Sequence, residues 1–132
     1  METQFCFTPI EESLTELLND IVIEKDGAKV SIKATFSLPS TLSFFAGHFP
    51  DEPVLPAVLQ LTIVRLLSSK ATHSPLQNTS LGKTKFMNII RPEEKIKVDI
   101  DLCRKDQKIE VKFAFYNEGK MASIGKINYN IV

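Results

Sequence analysis

Apolar and polar residues alternate through most of the last third of the chain. Ile96, Val98, Ile100 and Leu102 fall on one side, and Lys95, Lys97, Asp99 and Asp101 on the other. This period of two marks a strand with one buried face. Ile109, Val111, Phe113 and Phe115 repeat it, then Ile127, Tyr129 and Ile131, with turns at Arg104 to Gln107 and at Asn117-Glu118-Gly119. Upstream, Ile21 to Glu24 and Lys29 to Ser37 flank Asp26-Gly27, a hairpin signal. A further strand is expected over Ser80 to Ile89. The sum is an antiparallel sheet of five or six strands, polar on one face.

Two segments break this period. Thr8, Pro9 and Glu11 form a helix start with a capping box, and Ile10, Leu14, Leu17 and Leu18 supply one apolar stripe, so a short helix is expected from Pro9 to Asn19. From Pro56 to Lys70 apolar residues occupy almost every side, and Pro56 suits the first helical position. A helix apolar all round is expected to be wrapped by protein, and at fifteen residues it is too short to cross a bilayer. Between strands and helix, Thr41 to Leu55 is Pro-rich and carries Phe44, Phe45 and Phe49, too apolar for a solvated loop. The class is α+β, with a buried helix against one face of the sheet.

Composition narrows this further. The 132 residues are 43% apolar, enough for one core, and no repeat or linker divides them, so one domain over residues 1–132 is expected. Lys and Arg number 16 against 16 Asp and Glu, which argues against a nucleic-acid binder. Cys6 and Cys103 form neither a disulfide framework nor a zinc spacing, and no metal site is expected. The opening residues lack a signal peptide, and no apolar run is long enough for a membrane span, so a cytoplasmic location is expected.

The richest stretch is Phe44-Phe45-Ala46-Gly47-His48-Phe49-Pro50-Asp51-Glu52-Pro53-Val54-Leu55-Pro56-Ala57-Val58-Leu59-Gln60-Leu61. It resembles the signature of the hotdog-fold 3-hydroxyacyl-ACP dehydratases, FFxGHFPxxPVxPGVL, which precedes their central helix. Lys85-Phe86 and Arg91-Pro92 are similar to that family's later strand end, and the likeness runs from about Ile21 onward. The short entry at Leu38 to Leu42 and Val58-Leu59-Gln60-Leu61 are more similar to dehydratases of aryl-polyene clusters. The resemblance implies a hotdog fold, a curved antiparallel sheet wrapped around a central helix. It also implies (3R)-hydroxyacyl thioester substrates in fatty acid or polyene synthesis, carried on the phosphopantetheine of acyl carrier protein, with no other cofactor.

Dehydration needs a base for the α-proton, an acid for the departing β-hydroxyl, and donors for the enolate oxygen. A histidine titrates near working pH, and free N–H groups at a helix start can hold an oxyanion. The resemblance places the family's catalytic histidine on His48 and its oxyanion amide on Ala57, with Phe45, Gly47, Phe49, Pro50, Val58 and Leu61 along the acyl tunnel. Outside such a motif, a lone histidine in a Phe-rich loop is usually structural.

Two positions depart from the pattern. Ala57 replaces a glycine, whose missing side chain would let a thioester approach the backbone closely. Fourteen positions after His48, where the family carries Glu or Asp, stands Thr62. No acid occurs anywhere between Pro53 and Pro92. Threonine cannot donate an acidic proton near pH 7, and its bland role is a helix residue bonded to a backbone carbonyl. The absence also weakens an acyl-thioesterase reading, since hotdog thioesterases tend to use a helix carboxylate. Three readings follow: Thr62 and Gln60 orient a proton-delivering water; the chain binds acyl carriers without turnover; or it is half of a heterodimer. In this family the histidine and acid of one site come from opposite protomers, so a partner's acid would complete a site with His48.

Charge is unevenly spread: −6 over residues 1–52, +5 over 53–92 and +1 over 93–132. The basic centre suits docking of an acidic acyl carrier protein, with Lys83, Lys85 and Arg91 the expected contacts, helped by Arg65 and Lys70. The bland alternative is a set of solvated side chains. An exposed sheet edge and the Phe-rich loop favour a homodimer, a heterodimer with another hotdog protein, or a higher oligomer. His73 is expected at the surface, and Cys103 is expected to pack within its strand.

Overall fold

A computed structural model describes residues 9–18, 20–41 and 54–132. His48, Phe44, Phe45, Gly47, Phe49 and Pro50 therefore lie outside the described residues, as do Thr8, Asn19, Cys6 and the side chain of Ile10. The described elements are α1 (Pro9–Leu17), β1 (Ile21–Asp26), β2 (Lys29–Phe36), α2 (Ala57–Thr72), β3 (Leu76–Leu81), β4 (Lys85–Phe86), β5 (Ile96–Lys105), β6 (Lys108–Asn117) and β7 (Lys120–Ile131).

All seven strands join one antiparallel sheet in the order β1-β2-β5-β6-β7-β3, with the two-residue β4 also paired to β7. The alternation along the sequence sets its two faces. Ile96, Val98, Ile100 and Leu102 on β5 and Ile109, Val111, Phe113 and Phe115 on β6 are all buried, while Lys97, Asp101, Glu110 and Lys112 are exposed. Tight turns fix the register. Asn117 pairs with Lys120 across Glu118 and Gly119, both with positive φ (49° and 82°), as a two-residue hairpin of the I′ kind requires. Gly27, with φ 61°, opens the loop between β1 and β2.

Helix α2 lies on the buried face, contributing Ile63, Val64 and Leu67 to the core. Leu14 of α1 and Leu18, just after it, are buried in the same core. This is the hotdog arrangement, an antiparallel sheet packed against a central helix.

Three expectations change. The strand expected over Ser80 to Ile89 is two separate strands, Leu76–Leu81 and Lys85–Phe86. Pro56 is the N-cap of α2, with extended backbone (φ −64°, ψ 151°), rather than its first residue. Helix α2 is not buried all round: Ala57 is exposed and Val58 is 66% exposed, so one side of its opening turn faces outward. Glu11 forms an ion pair with Arg65 of α2, while the capping box expected with Thr8 falls outside the described residues.

A bulge in β7 shapes what faces the helix. Phe115 pairs with Ser123, but the next residue, Tyr116, pairs with Met121, leaving Ala122 as the extra residue. Ala122 and Ser123 are consequently both buried, and the Ala122 carbonyl accepts hydrogen bonds from the N–H groups of Met87 (2.7 Å) and Asn88 (3.1 Å). One irregularity in β7 thus anchors the loop after β4.

Candidate functional site

The site is assembled around the start of α2. Leu55 is buried, and its N–H donates to the Ile90 carbonyl at 2.7 Å. Pro56 follows with fixed extended geometry and no N–H. Its carbonyl accepts the N–H groups of Leu59 (3.1 Å) and Gln60 (3.2 Å), which closes the first turn. The N–H groups of Ala57 and Val58 precede any intrahelical acceptor, and Pro56 provides no side-chain cap. They carry the positive end of the helix dipole at an exposed position.

Thr62 is half-buried, and its Oγ1 donates to the Val58 carbonyl one turn back at 2.9 Å. That is the backbone-satisfied role expected of a helical threonine. Leu61 is half-buried beside it. Ala57, Val58, Leu61 and Thr62 therefore form one incompletely covered stripe along the first half of the helix.

Gln60 faces the other way. It is 4% exposed, and its side chain bridges two elements: the Ser123 hydroxyl donates to Oε1 at 2.7 Å, and Nε2 donates to the Leu55 carbonyl at 3.4 Å. A water shared by Gln60 and Thr62 is ruled out by this geometry, because residues two apart on a helix project about 200° from one another. In the sequence the glutamine stands in the apolar opening of the helix, and Ser123 falls in phase with Ile127 and Tyr129. On β7 it faces inward with them, and the bulge adds Ala122 beside it.

Arg65 is also committed. It pairs with Glu11 of α1, a residue 9% exposed, so it does not join a free basic surface. Glu11 is far away in sequence, and no spacing rule would have placed a carboxylate against this helix. Tyr129 is buried to 1% exposure, with no hydrogen-bond partner for its hydroxyl among the described residues. Burial pushes its pKa above the ordinary phenol range, opposed in part by the Arg65 charge. A buried hydroxyl left unpaired costs stability. Tyr129→Phe is accordingly expected to raise stability by about 1 kcal/mol in a thermal or urea melt; a comparable loss would reveal an unrecognised partner for the hydroxyl.

The expected docking residues separate. Lys83 and Lys85 line a groove of about 580 Å³ together with Lys112, Lys126, Asp99, Asp101 and Ile124. Arg91 is exposed but does not line that groove. Lys70 is exposed near the far end of α2, where His73, also exposed, is the left-handed C-cap (φ 54°). Cys103 is half-buried on β5, across from Lys29 and Glu110.

The geometry so far is a helix start whose first amides have no partner among the described residues, a threonine where an acid is expected, and a sheet packed against the helix. The family model described as ApeI dehydratase, of the ApeI-like family, matches residues 23–126. The chain belongs to the ApeI-like dehydratase family. It is 33% identical over 109 residues to the 3-hydroxyacyl-[acyl-carrier-protein] dehydratase FabZ of Pediococcus pentosaceus, covering 75% of this chain and 70% of that one. The FabZ of a Wolbachia strain from Brugia malayi is 32% identical over 121 residues, covering 80% of each chain. Among solved structures, the dehydratase heterocomplex ApeI:P from Xenorhabdus doucetiae superposes with a TM-score of 0.70 at 25% identity, over 86% of this chain and 97% of that one. These relatives make the chain a dehydratase-like enzyme of the lyase kind. The matched region contains the Gly47-His48-Phe49-Pro50 stretch and α2, the two segments that carry the resemblance. No helix among the described residues is long and apolar enough to cross a membrane.

Proposed function

We propose that this chain is the histidine-bearing subunit of a (3R)-hydroxyacyl thioester dehydratase whose catalytic acid comes from a second hotdog subunit. The carrying observation is Thr62: its hydroxyl is tied to the Val58 carbonyl, on the stripe of α2 that the fold leaves uncovered. In this reading His48 removes the α-proton, and the Ala57 N–H stabilises the enolate oxygen as the thioester carbonyl gains charge. The electron pair then forms the Cα–Cβ double bond. The Cβ–O bond breaks, and the partner's acid protonates the oxygen as it leaves as water.

Several further observations support a partner at this place. Phe86, Met87 and Ile89, in β4 and the loop after it, are between 45% and 50% exposed, and Val58 is more exposed still. Apolar groups at such a density favour burial against another surface. The substrate is an acyl chain on the phosphopantetheine of an acyl carrier protein, within fatty acid or polyene synthesis. Lys83 and Lys85 attract that acidic carrier, since with Lys112 and Lys126 they outnumber Asp99 and Asp101 in the same groove.

The test is mass spectrometry of a 3-hydroxyacyl carrier protein incubated with the chain alone and with each hotdog protein of the same cell. Loss of water is expected only in one mixture, and His48→Ala in this chain abolishes it. Turnover by the chain alone, turnover in the mixture that survives His48→Ala, or no turnover in any mixture would overturn the reading. A non-catalytic carrier-binding subunit is the second reading. It is favoured by the same threonine and distinguished by carrier binding without loss of water.

A further inference from the structure

We infer that Gln60 and Ser123 act as one positioning unit that holds the Ala57 amide in place at the start of α2; this rests on the proposed oxyanion role of that amide. The chain reaches α2 through Leu55 and Pro56, and Leu55 is held at both of its backbone polar groups. Its N–H donates to the Ile90 carbonyl at 2.7 Å, and its carbonyl accepts from Gln60 Nε2 at 3.4 Å. Gln60 is in turn fixed by the shorter bond from the fully buried Ser123 hydroxyl, 2.7 Å. Pro56 transmits this orientation rigidly, because its ring fixes φ, here −64°. Two residues after Leu55 comes the Ala57 N–H.

The anchor at the other end is equally specific. The loop that supplies the Ile90 carbonyl is fastened to the β7 bulge, through Met87 and Asn88 N–H to the Ala122 carbonyl and through Asn88 Nδ2 to the Met121 carbonyl at 2.6 Å. Asn117 Nδ2 adds a bond to the Ile89 carbonyl at 3.0 Å. This part of β7 therefore serves two ends at once. Its bulge holds the loop that grips the Leu55 N–H, and beside it Ser123, facing inward in phase with Gly125 and Ile127, grips the glutamine that engages the Leu55 carbonyl. A glutamine buried among aliphatic side chains is costly unless its amide is bonded, and both of its ends are. A packing role alone would be met as well by leucine, which is similar in size and has no polar group to bury.

The experiment uses Gln60→Leu, Ser123→Ala as a milder second variant, and the double variant. Amide hydrogen exchange is read over residues 55–60 and, as an internal reference, over β5 and β6. Exchange at the helix start is expected to quicken by about 10–100-fold in either single variant with the reference strands unchanged. In the mixture that shows dehydration, kcat is expected to fall by about 10–100-fold with KM held within about two-fold, as a displaced amide would produce. The double variant is expected to match the worse single one, because either change breaks the same unit. Unchanged exchange at residues 55–60, equal quickening in β5 and β6, or additive losses in kcat would each overturn the inference. If the unaltered chain shows no dehydration in any mixture, the proposed function fails, while the exchange comparison still decides whether the anchor exists.

Discussion

Thr62→Glu is expected to give the chain, purified by itself, a rate of thioester dehydration about 10²–10⁴-fold above that of the unaltered chain. The size is that of a positioned general acid, and the physical basis is local. Thr62 lies half-buried on the stripe that begins at Ala57 and Val58, whose amides open the helix. A carboxyl introduced there loses part of its hydration, which raises its pKa toward neutrality and keeps it protonated as an acid should be. The nearest cation on the same side, Arg65, would otherwise lower that pKa, but it is already paired with Glu11. Hydration of a crotonyl thioester, the reverse reaction, provides the assay. Adding His48→Ala to Thr62→Glu should return the rate to background. A folded Thr62→Glu chain with no gain would show that position 62 does not face the reacting atoms.

Phe113→Ala is expected to cost about 3–5 kcal/mol of folding stability. Phe113 is 2% exposed and meets Phe115 edge to face, with ring centroids 6.0 Å apart and planes at 84°. Its ring covers Gly125, the residue paired with it on β7: a Cβ built on that glycine would lie 2.9 Å from the ring and 2.5 Å from Thr84 Oγ1. The glycine makes room for the ring, so removing the ring leaves a cavity that no neighbouring side chain on β7 can fill. Urea denaturation should show a lower midpoint with an unchanged slope. A loss below about 1 kcal/mol would mean that the sheet collapses into the space, contrary to the rigid packing argued for this face.

Much of the fold was legible because a buried sheet face imposes a period of two. Ile96 to Leu102 and Ile109 to Phe115 could be assigned residue by residue from polarity, and each is buried as expected. The segment after α2 was not legible in the same way. Leu76–Leu81 shows one buried and five exposed residues, so it carries no alternation to read, and its pairing with β7 depends on a partner some fifty residues away. The outward face of α2 was equally hidden. Val58 and Ile63 look alike in a sequence, and only the position of the sheet decides that one is 66% exposed and the other wholly buried.

The site divides along the same line. Sequence by itself established the family motif, the strand faces, and the absence of any acid between Pro53 and Pro92, because these are properties of residue identity and spacing. Tertiary structure decided what the remaining polar groups do. It spent the Thr62 hydroxyl on its own helix, drew Glu11 from α1 to Arg65, brought Ser123 of β7 to Gln60, and separated Arg91 from the lysine groove. The reason is physical: burial of alternating apolar groups is encoded locally and repeats along a strand, whereas a buried polar group must find its one partner through the folded chain.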